Sequence, residues 1–349
     1  MLTYIDIKDF KSIHEEKLEL RPLTILTGTN SSGKSSVMQA IMLVIKYSNT
    51  INRYSMEEIT RYLNDFSAIR NKKNNAKEIY LKLGVDNQLC EILITSEFIQ
   101  HIVHGIFYNY EPIEDNSNPE MLYLNANRMG AQDQVAFSER RVGSNGEFLF
   151  STYEKIKTST VPDDMVKFKG SSTISFQLAE WLSYITQTES ELITELTGDK
   201  VKVSYKIKDL EGEVSPFNLG AGMSYISKVL IICLLAKKGD VVFIENPEIQ
   251  LHPKSQALLG DFFTHIANCG IQLIIETHCE HLLNRIAYQV YDESFSSDDL
   301  VIHYKPNVNH DFISLFVDDT GQYTDLSGKR IGFPSGFFDA TLEELKGMR

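Results

Sequence analysis

Apolar and polar residues alternate over the first twenty positions, as in Tyr4-Ile5-Asp6-Ile7-Lys8-Asp9-Phe10 and Lys17-Leu18-Glu19-Leu20. That period of two predicts a hairpin of two short strands. The pattern then changes twice in quick succession. Leu23 to Thr27 is a short apolar run, read as a buried strand, and Ser35 to Lys46 carries apolar residues at helical spacing. Residues 50–78 are polar and mixed in charge and read as a solvated helical excursion. Strands are expected near 79–84 and 90–95 and from Met121 to Asn125, and residues 150–200 read as mostly helical and irregular. The periodicity is clearest further on. Met223 to Lys238 sets Ile226, Val229, Leu230, Cys233 and Leu234 on one helical face, with Lys237 and Lys238 at its negative end and Gly239 as its cap. Val241 to Glu245 is an apolar strand. Pro253 to Ala267 is a helix with proline in its first turn and Leu258, Leu259, Phe262, Phe263 and Ile266 inward. Ile271 to Thr277 is another apolar strand, followed by a helix from about Glu280. Strands alternating with helices predict an α/β fold whose parallel sheet is covered on both faces. From Asp311 a small β excursion and a last helix near Thr341 are expected.

Composition narrows this picture. With 349 residues, 42% of them hydrophobic, the chain is long enough for about two domains and can bury a core. No apolar run reaches the roughly 18 residues of a membrane span, and MLTYIDIKDF is no signal peptide. Cys90, Cys233, Cys269 and Cys279 are scattered, with no CxxC pair, and read as reduced thiols of a cytoplasmic protein. The net charge of −13 argues against indiscriminate binding to nucleic acid.

Four segments carry chemistry. Gly28-Thr29-Asn30-Ser31-Ser32-Gly33-Lys34-Ser35 matches GxxxxGK[ST], between an expected strand and an expected helix. Its glycines let backbone N–H groups turn around phosphates, Lys34 reaches the β- and γ-phosphates, and Ser35 offers its hydroxyl to Mg²⁺. The helix N-terminus that follows adds its positive dipole end. In Val241-Val242-Phe243-Ile244-Glu245-Asn246-Pro247-Glu248, an acid ends a buried strand, where it needs a partner; the Mg²⁺ shell supplies one. In Ile271-Gln272-Leu273-Ile274-Ile275-Glu276-Thr277-His278, the histidine follows the C-terminal end of a buried strand, where open α/β sheets place ligands. Its neutral imidazole can hydrogen-bond a γ-phosphate or an attacking water. Finally, Asn218-Leu219-Gly220-Ala221-Gly222-Met223-Ser224 is a glycine-containing turn entering a helix, a second anion site or simply a tight connection.

These elements in this order resemble the ABC-class ATPases, in the branch that holds SMC proteins, RecF and the overcoming-lysogenization-defect nucleases. Ile7-Lys8-Asp9-Phe10-Lys11-Ser12 and Leu23 to Ser36 look like the opening of that branch, and the ENPE, LHP and ETH segments look like its stand-alone bacterial ATPases. Several relatives of that type belong to anti-phage defence operons. The resemblance covers residues 1–47 and 215–305 well and the middle loosely. It implies an ABC-type ATPase head, a mixed sheet with helices on both faces, plus a mainly helical insertion. The lobes would be 1–130 with Walker A, 131–214 as the insertion, 215–310 with the signature-like turn, Walker B and the switch histidine, and 311–349 as a small extension containing Pro334 to Leu345.

Residue by residue, the resemblance implies that Gly28 to Ser36 is Walker A, that Glu245 is the Walker B acid and that His278 is the switch histidine. Gly220, Gly222 and Ser224 would stand in for the signature motif, which reads the γ-phosphate held by another subunit. Leu251-His252-Pro253 would follow as the D-loop, Lys11 and Ser12 would line the nucleotide, and Gln132 would be the Q-loop ligand of the metal beside Ser35 and Glu245. Arg128, in the loop Tyr123 to Gly130, is either functional or a surface ion-pair residue. Asn246 departs from the branch, which has a second acid at this place; an amide cannot act as a general base, so Glu248 would supply the carboxylate or hydrolysis would be slow.

The implied function is an ATP- and Mg²⁺-dependent ATPase whose dimerisation controls a nucleic-acid-linked process, as the ATPase subunit of an anti-phage system. The alternative is a nucleotide-sensing scaffold that hydrolyses little and regulates a separate effector, a nuclease or toxin. A homodimer or higher homo-oligomer follows from having one phosphate loop and one signature-like turn per chain. The stretch after His278 is too short for a Toprim-type nuclease, so destructive chemistry is expected on a partner. Arg61, Arg70, Lys72, Lys73, Lys77, Arg140 and Arg141 are the local basic candidates for nucleic acid, each equally readable as a solvated charge.

Overall fold

The computed structural model describes residues 1–48, 54–86, 88–104, 108–111 and 118–334. The helix expected near Thr341 and nearly all of Pro334 to Leu345 lie outside these residues. In chain order the elements are β1 (Leu2–Phe10), β2 (Ile13–Glu19), β3 (Leu23–Gly28), α1 (Lys34–Lys46), α2 (Glu57–Thr60), α3 (Phe66–Ile69), β4 (Glu78–Val85), β5 (Gln88–Thr95), β6 (Ile99–His104), β7 (Met121–Leu124), β8 (Gln134–Ala136), α4 (Leu149–Ile156) and α5 (Ile174–Thr186). There follow β9 (Ser190–Thr197), β10 (Lys200–Ile207), β11 (Glu213–Val214), α6 (Gly222–Leu235), β12 (Val241–Glu245), α7 (Pro253–Asn268), β13 (Gln272–Glu276), α8 (Glu280–Tyr291), β14 (Leu300–Lys305), β15 (Ile313–Val317) and β16 (Tyr323–Thr324).

The central sheet runs β16-β15-β14-β3-β13-β12-β7. Its five strands from β14 to β7 are parallel, and β15 and β16 are antiparallel additions. Strands buried on both faces need apolar side chains on both sides, which is why β3, β12 and β13 read as continuous apolar runs. One face packs on α1, which in turn lies against a five-stranded antiparallel sheet, β2-β1-β4-β5-β6. Sandwiched between two sheets, α1 is buried almost all round, from Val37 to Ile45. The other face packs on α6, α7 and α8, and Trp181 of α5 stands edge-on against Phe262 of α7.

Three expectations change. The segment 131–214 is not mainly helical: β8, β9, β10 and β11 form a four-stranded sheet beside α4 and α5. Its buried positions, Leu192 and Thr194 facing Val201, Val203 and Tyr205, alternate with mostly polar residues, and the apolar half of the pattern is clear in β10 but thin in β9. Residues 57–69 form short helices, but they are not merely solvated, because Ile59, Leu63 and Ile69 enter the core. Helix α6 stops at Leu235 with Ala236 extended, so Lys237 and Lys238 lie in the turn beyond it. Asp240 holds that turn by accepting from Lys237 N–H at 2.8 Å.

Candidate nucleotide-binding site

The β3–α1 connection forms the loop that the motif predicts. Gly28 has φ +133°, and a Cβ there would lie 2.1 Å from the Lys305 carbonyl oxygen of β14, so only glycine fits. Gly33 has φ +112°, and a Cβ there would strike the Ser12 hydroxyl at 2.4 Å. Ser12, in the β1–β2 turn, therefore sits directly on the phosphate loop. Lys11 is next to it, with its ammonium donating to Gln39 Oε1 of α1 at 2.6 Å and lying over the Tyr62 ring. Thr29, Asn30 and Ser31 are exposed at the loop's crest, whereas Ser32 and Ser36 are buried and the Ser32 hydroxyl has no hydrogen-bond partner. Lys34 is buried, donates to Thr29 O at 2.7 Å and lies 3.9 Å from Glu276. Burial holds its pKa below the usual lysine value.

Three carboxylates gather at the C-terminal ends of β12 and β13. Glu245 accepts from the Tyr123 hydroxyl at 2.8 Å and from Ala126 N–H at 3.1 Å, which fixes both oxygens. Glu276, its register partner on β13, was not singled out from the sequence. The signal was available, since an acid ending a buried strand needs a partner wherever it occurs. Burial and the charges of Glu245 and Glu248 push its carboxyl up, while the Ser35 hydroxyl and Lys34 pull it back. Glu248 accepts from His278 N–H at 3.1 Å; burial raises its carboxyl, and its Oε2 has no hydrogen-bond partner. The His278 ring stays accessible, and desolvation and Lys34 hold it below the usual histidine pKa, so it is neutral at pH 7.

The turn after β12 is held in a left-handed conformation at Asn246, φ +46°. Arg128 braces it from inside, donating to Glu245 O at 2.8 Å and Asn246 O at 2.7 Å and packing over Tyr225 of α6. Arg128 is thus buried and bound to carbonyls rather than a surface ion-pair residue. Gly222 rests on the same turn: a Cβ there would lie 2.5 Å from Gln250 O, while a Cβ at Gly220 would meet open space. Among the described residues no hydrogen bond or ion pair joins the 218–224 turn to the phosphate loop.

Two candidates are not placed as expected. Ser224 is 1% exposed and faces Tyr205, because its position on α6 falls on the inward side of the helix. Gln132 is engaged elsewhere: its amide oxygen accepts from Lys228 Nζ at 2.8 Å. Lys228 is itself fully buried, also donates to Met129 O at 2.9 Å, and has its pKa lowered to about 7 by burial. A base whose folded pKa is depressed binds fewer protons than the unfolded chain between about pH 7 and its ordinary value of 10.5, so stability rises with pH across that window. Chemical denaturation at pH 7, 8 and 9 should show the wild type gaining on Lys228→Met by up to about 1.4 kcal/mol per pH unit. Parallel pH profiles for the two proteins would refute the assignment. The Arg140 and Arg141 guanidiniums are also committed, to Glu58 and Glu120, so neither is a free cation for nucleic acid.

The fold and its phosphate loop define a P-loop ATPase of ABC-like type. The chain belongs to the family described as "AAA ATPase domain", whose model matches residues 1–212. A second model, described as "AAA domain, putative AbiEii toxin, Type IV TA system", matches residues 186–284. An SMC head bound to the C-terminal winged-helix domain of ScpA is similar over 91% of this chain and 98% of its own, at TM-score 0.60 and 13% identity. The Smc head of Pyrococcus furiosus, with an extended coiled coil and the C-terminal domain of ScpA, is similar over 100% and 99%, at TM-score 0.57 and 11% identity. These likenesses establish the SMC-head ATPase fold. A protein of Methanocaldococcus jannaschii named as an ABC transporter ATP-binding protein is 30% identical over 86 residues, 25% of this chain and 28% of that protein. The chain thus spans under a third of that curated relative. No described helix is long and apolar enough to cross a membrane.

Proposed function

We propose that this ATPase binds Mg²⁺–ATP, closes as a homodimer on two nucleotides, and passes that state to a separate effector protein in anti-phage defence. The observation that carries the reading is the division of the site. Each chain has a phosphate loop whose lysine and hydroxyl, at the start of α1, lie beside the carboxylates at the ends of β12 and β13. Its GxG helix start is tied instead to the turn after β12 and is open around Gly220. A second copy's nucleotide can take up that opening, giving ATP contacts that exist only in the closed dimer.

Within one site, Lys34 and the backbone of Gly28 to Ser36 hold the phosphates, with Lys11 and Ser12 beside them. Ser35 and Glu245 hold Mg²⁺, which would neutralise phosphate charge. The fit rests on chemistry present in the chain: a serine hydroxyl beside carboxylates, two of them, Glu248 and Glu276, with an unpartnered oxygen. Glu248 takes the proton of a water attacking the γ-phosphorus, and the β–γ bridging bond breaks to leave ADP. Neutral His278 orients that water or the γ-phosphate. The lobes 1–130, 131–214, 215–310 and 311–349 are retained as working divisions, and a cytoplasmic location accompanies the reading. The defence setting is supported by the second family description, which names a toxin of a toxin–antitoxin system.

Light scattering tests the composite site. Adding a non-hydrolysable ATP analogue should convert monomer to dimer, and Gly220→Arg should prevent this while leaving nucleotide binding within about threefold of wild type. A wild type that stays monomeric at saturating nucleotide would remove the composite site. A second reading, a nucleotide-sensing scaffold with little turnover, is favoured by Asn246 standing where the branch has its second acid.

A further inference from the structure

The set of metal-binding side chains in this site is one short, because Gln132 is held by Lys228. The strand register indicates a replacement. Glu245 and Glu276 are paired positions on the parallel strands β12 and β13. Two residues before each, Phe243 and Ile274 belong to the core on the α1 side of the sheet. With a period of two along a strand, both carboxylates emerge on that same face, where α1 begins with Lys34 and Ser35. Adjacent strands lie about 4.8 Å apart, so the two charges repel each other unless a cation sits with them.

Lys34 meets this need only weakly, at 3.9 Å from Glu276 Oε1, and it donates at shorter range to Thr29 O. Glu276 is 7% exposed, and its Oε2 is sealed from solvent without any hydrogen-bond donor. A buried carboxylate oxygen left unpartnered beside a serine hydroxyl and a second carboxylate is a hard-oxygen donor set of the kind Mg²⁺ takes. Of the neighbouring carboxylates, Glu245 has donors on both oxygens, which orients that group; Glu248 also has an unpartnered Oε2, but it lies three residues beyond the end of β12 and its other oxygen is tied to the His278 backbone.

We propose that Glu276 is a direct ligand of the divalent cation that accompanies ATP, completing with Ser35 and Glu245 the set that Gln132 does not fill. This rests on the Mg²⁺–ATP reading above. When Mg²⁺–ATP enters, Lys34 leaves Thr29 O for the phosphates and Glu276 turns from a distant lysine partner to the metal.

Mn²⁺ serves as the probe, with its binding followed by electron paramagnetic resonance in the presence of a non-hydrolysable ATP analogue. Glu276→Gln should weaken Mn²⁺ binding at least about tenfold. Affinity for the analogue in EDTA should stay within twofold, because the phosphate contacts are untouched. Glu276→Asp, which keeps the charge on a shorter arm, should fall between wild type and Glu276→Gln, and it also serves if the amide variant folds poorly. Mn²⁺ affinity within twofold of wild type in both variants would overturn the proposal, whatever happens to turnover. So would an equal loss of metal-free nucleotide binding, which would mean that Glu276 acts only through Lys34. A wild type that binds no nucleotide at all would overturn the Mg²⁺–ATP reading first and this proposal with it.

Discussion

Lys34→Ala should abolish ATP binding at micromolar protein while leaving a folded chain. Lys34 makes charge-assisted contacts to two phosphates in the proposed complex. Each hydrogen bond to a charged group contributes about 1.5–3 kcal/mol, so losing both weakens binding by roughly 100- to 10,000-fold. The fold should survive because the contact between Lys34 and Glu276 is long, 3.9 Å, and Glu276 already has its carboxyl raised by burial. It can take up a proton when the lysine is gone instead of standing as an unpaired buried charge. Isothermal titration with an ATP analogue, alongside thermal melting, checks both halves. Unchanged affinity in a normally melting variant would sink the phosphate-loop assignment. A variant that is unfolded before nucleotide is added would show that Lys34 is structural.

The second large effect is expected at Glu248. If this residue takes the proton from water, Glu248→Gln should lower steady-state phosphate release at least about a hundredfold, the typical contribution of a general base. ATP affinity should be retained, since the side chain accepts from His278 N–H and touches no residue of the phosphate loop. Asn246→Ala should change turnover by less than about fivefold, because Asn246 contributes an amide and a turn conformation rather than a base. The Glu248 carboxyl is raised above the ordinary glutamate value, first by burial, which predicts that turnover starts to fall at a higher pH than an ordinary glutamate base would give. Equal rates for wild type and Glu248→Gln would reject it as the base. No turnover from the wild type, with or without DNA or RNA, would favour the scaffold reading.

The parts legible in the sequence are those whose physics is local. The phosphate loop is visible because its glycines, lysine and serine must follow one another in a fixed spacing. Strands β3, β12 and β13 are visible because burial on both faces leaves no polar alternation. Strand β14 was hidden by the same rule in reverse. All six of its residues are buried, yet His303 and Lys305 break the apolar run; His303 is held between Ser314 and Glu19 O, and Lys305 by Glu16, partners that only the fold supplies. Strand β9 was hidden because Ser190 and Thr194 hold two of its buried places, whereas β10 alternates polar residues with Val201, Val203, Tyr205 and Ile207, a period of two that was legible. In the site, Ser12 lies against Gly33 of the phosphate loop with Lys11 next to it, and Glu245 ends β12. Glu276 was legible as an acid ending an apolar strand, but its pairing with Glu245 depended on the parallel register of β12 and β13, and the engagement of Gln132 on a lysine far along the chain; neither relation leaves a mark in local spacing.

Strand β3 carries the phosphate loop, and its two neighbours in the sheet are β13 and β14. The loop's Thr29 hydroxyl closes on Pro306 O, 277 residues downstream. A ribosome adding 5–20 residues per second needs roughly 15–55 s to make that interval. Throughout it, the complete GTNSSGKS segment exists but its backbone lacks the strand against which Gly28 must turn. ATP therefore cannot serve as an early template for folding. Nucleotide competence arrives late, as a high-contact-order event, and β3 is an apolar strand with two bare edges until β13 is made and with one until β14 follows. Synthesis in cells short of chaperones should thus lower the yield of active protein more than it lowers the yield of chain.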